Sequence, residues 1–167
     1  ATDRNGNPTE YYFDNTGHLV LKREFTRGHH PGEPVYYETR YEYSVDGELT
    51  LTVFPEGNTL FCTYPIGSDR SQHGNLLTET RTPGPRGGDQ IFLGVVYTYE
   101  PVYNRVRSTT DARGNVTSHI FDYQEGDGVQ NLQHLANATG RSVADLQAVI
   151  LAAGIPINLP DQNGDGI

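Results

Sequence analysis

Two stretches of this chain repeat the same residues at the same spacing. The segment TDRNGNPTEYYFD, residues 2–14, aligns without a gap onto TDARGNVTSHIFD, residues 110–122. The matched pairs are Asp3/Asp111, Gly6/Gly114, Asn7/Asn115, Thr9/Thr117, Phe13/Phe121 and Asp14/Asp122. A shorter copy, PEGNTLFCTY, keeps the Gly-Asn step at Gly57 and Asn58. Repetition at fixed spacing predicts that one supersecondary unit is used several times along the chain.

Each copy has the composition of a tight turn followed by a β-strand. The Asp, Gly and Asn of the turn supply a side chain that bonds nearby backbone and two residues that tolerate positive φ. Residues alternate between two faces in the segments that follow, as in YYETRYEY (36–43), ELTLTVF (48–54) and NVTSHIFDY (115–123). In YYETRYEY the alternation puts Tyr37, Thr39, Tyr41 and Tyr43 on one face. The sequence therefore predicts a mainly β fold, with antiparallel repeat hairpins over residues 1–123.

The longest copy, DRNGNPTEYYFDNTGHL (3–19), resembles the RHS or YD repeat. The Tyr-Asp pair that names the repeat corresponds here to Phe13-Asp14 and, in reversed order, to Asp122-Tyr123. Members of that family are segments of very large secreted or surface proteins: insecticidal toxin complexes, bacterial polymorphic toxins and the animal teneurins. Their repeats form a long β-sheet that spirals into a hollow shell, and in the toxins the shell encloses a cargo enzyme.

The resemblance implies a role for the chain and a set of partners. We expect a non-catalytic structural shell segment of a larger secreted or cell-surface protein, an expectation that the absence of Met supports. Its partners would be adjacent RHS repeats of the parent chain and, in toxin members, an enclosed cargo polypeptide. Exposed sheet edges also predict self-association, because their unpaired backbone groups are a template for another strand.

Composition and charge argue against several other classes of function. The net charge is −9, whereas nucleic-acid binding requires a basic surface. No apolar run approaches the ~18 to 20 residues of a membrane helix, so no membrane insertion is expected. The lone Cys62 lies in a strand pattern and is expected to be a small buried apolar residue. No nucleophile elbow or paired catalytic carboxylates are recognisable, and an enzyme is not expected.

After residue 123 the spacing of apolar residues changes from two to three and four. Leu132, Leu135 and Ala136, then Val143, Leu146, Val149 and Ile150, predict two short helices in a two-helix insertion over residues 124–156. Gly140 is expected to end the first helix, and Ser142 to cap the start of the second. Gly154 and Pro156 would end the second helix. We expect the apolar face of this helix pair to pack against the sheet.

The helical segment admits two other interpretations. A helix-turn-helix DNA reader fits the short turn, but residues 124–167 contain five acids against Arg141, and DNA would be repelled. The segment GDGVQNLQHLANATGRSVADL (126–146) also resembles a LysM carbohydrate-binding module, although its Gly-Asp step lies further from the helix than that pattern expects. A LysM-like carbohydrate-binding module is therefore the alternative function.

The tail, residues 157–167, ends in DQNGDGI, which matches the first half of an EF-hand calcium loop. Asp161, Asn163 and Asp165 would supply side-chain oxygens at the first, third and fifth positions, and Ile167 its backbone carbonyl at the seventh. Hard oxygen donors on alternate residues can converge on one Ca²⁺. The acid expected at position twelve is absent, so an incomplete calcium site is predicted.

Overall fold

The computed structural model describes residues 1–4, 6–26, 28, 31–66, 72–85, 92–121, 124 and 128–157. Within these residues the chain forms nine strands and then two helices. The strands are Thr9–Phe13 (β1), Leu19–Phe25 (β2), Tyr36–Tyr43 (β3), Leu49–Val53 (β4), Thr59–Thr63 (β5), Thr78–Thr82 (β6), Leu93–Tyr99 (β7), Val106–Thr110 (β8) and Val116–Ser118 (β9). The helices are Gly128–Thr139 (α1) and Val143–Ala152 (α2).

The strands are hydrogen-bonded in the order of the chain, from β1 to β9. Pairing is antiparallel from β1 through β7 and again between β8 and β9. The predicted mainly β fold, with antiparallel hairpins and two small C-terminal helices, is confirmed. The chain divides into two compact units: Ala1–Val96 with Asp111–Arg113, and Tyr97–Thr110 with the described residues from Gly114 onward.

One turn geometry recurs between the strands. In four turns the N–H of the first residue donates to the carbonyl of the fifth at 2.8 to 2.9 Å, and the N–H of the fourth donates back to the carbonyl of the first. The fourth residue is always a glycine with positive φ, between 79° and 92°, and a fifth turn shares this glycine conformation. These glycines are Gly6, Gly17, Gly47, Gly57 and Gly114. A left-handed glycine after a tight turn is the usual three-residue hairpin loop, so the prediction of turns at Gly6, Gly57 and Gly114 is confirmed.

At the first position of these turns, a side-chain acceptor can bond to the backbone N–H groups of the turn, which explains the repeated Asp. Asp14 accepts hydrogen bonds from the backbone N–H groups of Thr16 and His18, each at 2.9 Å. In the β3–β4 turn Ser44 does the same with its hydroxyl, at 3.2 and 3.1 Å. The β4–β5 turn begins with Phe54, which has no such acceptor, but Pro55 follows it at the position where a fixed φ favours this turn. The same turn is thus stabilised by a side-chain hydrogen-bond acceptor in some hairpins and by the fixed φ of a proline in another.

A second kind of glycine is required by close approach of two backbone segments. A Cβ atom on Gly84 would lie 2.3 Å from the carbonyl oxygen of Glu56, in the β4–β5 turn. On the other side of this contact, a Cβ on Gly57 would lie 2.8 Å from Cδ of Pro85. The segment after β6 therefore packs directly on the β4–β5 turn, and any larger residue at position 84 must move backbone.

The first unit has very few buried side chains. Among its described residues, only Thr39, Thr52 and Cys62 are buried. The predicted alternation in β3 and β4 is present, and Tyr41 pairs with Thr52 while Glu42 pairs with Leu51. The threonine face, rather than the face bearing Leu51 and Val53, therefore contains the buried residues. Leu51 and Val53, on the other face, are half-buried.

The apolar core lies in the second unit and is built from the two helices. Its buried members are Leu132, Leu135, Ala136, Leu146, Ile150 and Ile155. The sequence predicted that Leu132, Leu135, Leu146 and Ile150 are buried against the sheet; their burial is confirmed, but they pack against each other. Outside the helices, however, the half-buried residues that pack on them are Val102 in the β7–β8 turn, Phe121 beyond β9, and Ile157. The helical core thus rests on turn and loop residues rather than on strand side chains.

Both helices end as their sequence predicts. Gly140 follows α1 with a φ of 70°, and its N–H donates to the carbonyl of Ala136 at 2.9 Å. Ser142 caps α2, where its hydroxyl accepts from the N–H of Asp145 at 3.1 Å. Gly154 follows α2 with a φ of 65°. None of the helices in the described part of the chain is long and apolar enough to span a bilayer.

The second copy of the repeat departs from the predicted strand. We expected alternation from residue 115 to residue 123, but β9 ends at Ser118, and residues 119–121 are not in a strand. Phe121 matches Phe13 in the repeat, yet Phe13 lies in β1 and is 61% exposed, whereas Phe121 packs against the helical core. The two copies of the repeat thus use the matching phenylalanine differently, in a strand at Phe13 and in contact with the helices at Phe121.

Candidate functional site

The residues predicted to bind calcium lie outside the part of the chain that the structure describes. This holds for Asp161, Asn163, Asp165 and Ile167, and the calcium site stays a prediction. Among the described residues no group of three or more His, Cys, Asp or Glu side chains is placed to hold a metal ion. Cys62 is buried as expected, and burial raises the pKa of its thiol, which disfavours the reactive thiolate.

The outer edge of β1 is the most distinctive feature of the first unit. Residues 1–3 fold back through the first recurrent turn and pair with the start of this strand. The terminal amino group of Ala1 donates to the carbonyl of Thr9 at 3.0 Å, and the N–H of Thr9 donates to the carbonyl of Ala1 at 2.7 Å. On the opposite side, the carbonyl of Pro8 accepts from Phe25 at the end of β2. Backbone groups of Thr9 therefore point away from β2.

This arrangement fixes which other backbone groups of β1 point outward. Directions alternate along a strand, so Tyr11 and Phe13 share the direction of Thr9. The N–H of Asp14 donates to the carbonyl of His18, toward β2, which agrees with that alternation. Within the described residues β1 has only β2 as a neighbouring strand, apart from the bridge between Thr2 and Pro8. The outer edge of β1 thus offers the backbone groups of Tyr11 and Phe13, whose side chains are also exposed.

The face of the sheet beside this edge carries a network of charged and aromatic side chains. Nε of Arg23 donates to Glu38 at 2.9 Å, and the guanidinium lies 5.3 and 4.8 Å from the ring centres of Tyr12 and Tyr36. Nε of Arg40 donates to the other oxygen of Glu38 at 2.7 Å. The hydrogen bonds from Arg23 and then Arg40 lower the pKa of Glu38, and the bond with Glu38 raises the pKa of Arg23. Cross-strand pairs of this kind order a sheet surface on which Tyr12 and Tyr36 are exposed.

The second unit contains two polar residues whose roles the sequence did not reveal. Arg107 on β8 donates to the carbonyls of Ala153 and Gly154 at 2.9 and 3.4 Å, and so satisfies the end of α2. Glu100 is 1% exposed, and its carboxylate accepts from the N–H groups of Val102, Tyr103 and Arg105 in the β7–β8 turn. A lone Arg in a strand pattern and a Glu before a Pro carry no recognisable signal in the sequence.

No protein-family model matches the chain, and no curated protein matches it either. Its class is therefore defined by the fold alone: a sheet of antiparallel hairpins with a recurrent glycine turn and a small helical core. The open edge of β1 is the candidate functional site of the first unit.

Proposed function

We propose that the chain is a non-catalytic structural segment of an RHS-type shell, which works by joining other strands to the edge of its sheet. The observation that carries this proposal is the open outer edge of β1. Its outward backbone groups at Tyr11 and Phe13 continue the row that already bonds Ala1 to Thr9. A neighbouring segment that donates a strand would complete this row.

The sheet of the first unit supports a role as a wall. Few of its described side chains are buried, and its ordering comes from backbone ladders, recurrent turns and cross-strand pairs such as Thr59 with Thr82 and Thr63 with Thr78. Stability in a repeat of this kind is a sum of local and nearest-neighbour terms. Additional hairpins would therefore extend the sheet without a new core, as expected for an RHS-like shell of a secreted or surface protein.

Pairing of this edge with a second copy is expected to be weak. Two outward residues supply about four backbone groups, and each hydrogen bond contributes only ~0.5 to 1.5 kcal/mol net. The net charge of −9 on each copy opposes approach, so added salt should strengthen association by screening that repulsion. We therefore expect a monomer that dimerises reversibly at high protein concentration.

Tyr11→Pro tests this mechanism directly. Proline removes the outward N–H of Tyr11 and leaves the β1–β2 hydrogen bonds intact, since those come from residues that face the other way. Analytical ultracentrifugation over a concentration series should show a dimer for the unsubstituted protein and a shift toward monomer for Tyr11→Pro. Amide hydrogen exchange of Tyr11 and Phe13 should slow as the concentration of the unsubstituted protein rises.

Tyr11→Val is the matched control, because it removes the same ring and keeps the N–H. Retention of the dimer in this variant, with loss in Tyr11→Pro, is the expected result. Equal loss in both variants would assign association to the ring instead of the strand edge and would contradict the proposal. An unsubstituted protein that stays strictly monomeric at high concentration and high salt would contradict it as well.

A further inference from the structure

The second unit contains an open cleft of about 660 Å³ that is separate from the edge of β1. It is lined by Tyr103, Arg105, Val106, His119, Ile120 and Phe121. The first three come from the β7–β8 turn and the start of β8, and the others follow directly after β9. A volume of this size lies within the range of ~300 to 1,000 Å³ that small-molecule sites occupy.

Arg105 is the main charged group of this cleft. Its side chain is exposed, and within the described residues the hydrogen bonds of Arg105 come from its backbone, which bonds to Glu100. Arg107, two residues further along, is instead bonded to the carbonyls at the end of α2. One arginine of this pair therefore has a structural partner, and the other lines the cleft with an exposed side chain.

The remaining lining residues define what could bind beside that guanidinium. His119 and Tyr103 add polar groups at the surface, while Val106, Ile120 and Phe121 form an apolar wall. No acidic side chain lines the cleft among the described residues. The acid of the β7–β8 turn, Glu100, is buried and its carboxylate accepts from three backbone N–H groups of the turn.

We propose that this cleft binds a small molecule with a carboxylate next to a ring that has an apolar face. A guanidinium presents two parallel donors that match the two oxygens of a carboxylate. The ring would lie against the apolar wall formed by Ile120 and Phe121, with Tyr103 beside it. Aromatic acids and sugar acids share this chemistry, because a sugar ring also has an apolar face.

The net negative charge of the whole protein weakens but does not abolish such binding. The net charge of −9 repels anions at long range, yet at physiological salt this repulsion is screened beyond ~8 Å. Contacts inside the cleft are shorter than that distance, so the guanidinium of Arg105 acts on a bound carboxylate with little screening.

Phenylacetate, an aromatic acid, and glucuronate, a sugar acid, are suitable probes of the two ligand classes in NMR titrations of the whole chain. At least one of them should shift the amide signals of residues 103–106 and 119–121 in a saturable way. The acid that binds more tightly identifies the ligand class. Phenylacetamide or glucuronamide, which keeps the ring and removes the charge, should bind about tenfold more weakly or worse. Acetate, which keeps the charge and lacks the ring, should also bind more weakly.

Arg105→Gln should weaken binding of the stronger acid about tenfold or more, while the amide analogue is unaffected. Arg113→Gln is the matched control, because it removes an arginine in the β8–β9 turn that does not line the cleft. Equal loss in both variants would show a non-specific charge effect and would overturn the proposal. Absence of saturable shifts with either acid, or unchanged affinity in Arg105→Gln, would overturn it too.

Discussion

Single side chains at the first turn position stabilise the hairpins by accepting hydrogen bonds from the turn. Asp14 is the fullest example, because its carboxylate accepts from the hydroxyl of Thr16 at 2.7 Å as well as from two backbone N–H groups. The ring of His18 then stacks on Tyr43, with ring centres 4.6 Å apart. One acid therefore fixes the turn and also positions an aromatic contact with a strand two places along the sheet.

These hydrogen bonds hold the pKa of Asp14 well below its usual range, and the hydroxyl of Thr16 is the largest cause. A lowered folded-state pKa stabilises the fold above the unfolded value of ~3.9, and this stabilisation is lost as the pH falls below it. Thr16→Val should raise the pKa of Asp14, and Thr16→Ser should leave it low. Carboxyl NMR titrations of the three proteins check this, and the same low pKa in Thr16→Val would contradict it.

At the scale of elements, the helices differ from the strands in what stabilises them. The hairpins are specified by local turn chemistry and carry few buried residues. Helices α1 and α2 instead depend on burial, since Leu132, Leu146 and Ile150 are fully buried against each other. Truncation of one of these side chains leaves a cavity, whereas truncation of an exposed side chain in the same helix does not.

Leu146→Ala should therefore destabilise the helical pair by about 2 to 5 kcal/mol. Leu151→Ala is the matched control, because Leu151 lies in the same helix and is 60% exposed. Its expected cost is below ~0.5 kcal/mol, as for other surface changes. Denaturant unfolding followed by helical circular dichroism measures both. Similar costs for the two variants would show that the packing of α2 differs from the structure.

At the scale of the whole molecule, the two units have different physical character. The first is an extensive sheet with an open edge, and the second has the apolar core and a cleft. Within the second unit the helices contact Val102 and Phe121, and Arg107 of β8 bonds to the end of α2. On the basis of these ties we propose a helical insertion rather than a self-standing carbohydrate-binding module.

A titration with chitin oligomers separates these two functions. The shell proposal predicts no saturable heat in calorimetry, because N-acetylglucosamine is neutral and the helical apolar residues are already buried. A LysM-like module would give saturable binding with a stoichiometry near one. Leu151→Ala provides a control for exposed apolar surface on α2, and saturable heat that this variant does not change would favour the module over the shell.

Much of the local structure follows from the sequence because its causes are local. The repeated Gly-Asn step predicted turns at Gly6, Gly57 and Gly114, since only glycine reaches positive φ at no steric cost. Spacing of apolar residues predicted α1 and α2, and Ser142 and Gly140 predicted where one ends and the next begins. In each case the interacting atoms lie within a few residues of each other in the chain.

Features that depend on distant contacts were decided only by the tertiary structure. The repeat predicted a long final strand, but Phe121 packs against helices further along the chain, and β9 ends at Ser118. Arg107 meets the end of α2 across 46 residues of sequence. Likewise, alternation identified two faces of the sheet, but only the structure showed that Thr39 and Thr52, and none of the strand leucines, are buried. Alternation along a strand shows which residues share a face. Burial depends on what packs against that face, and residues distant in the sequence decide this.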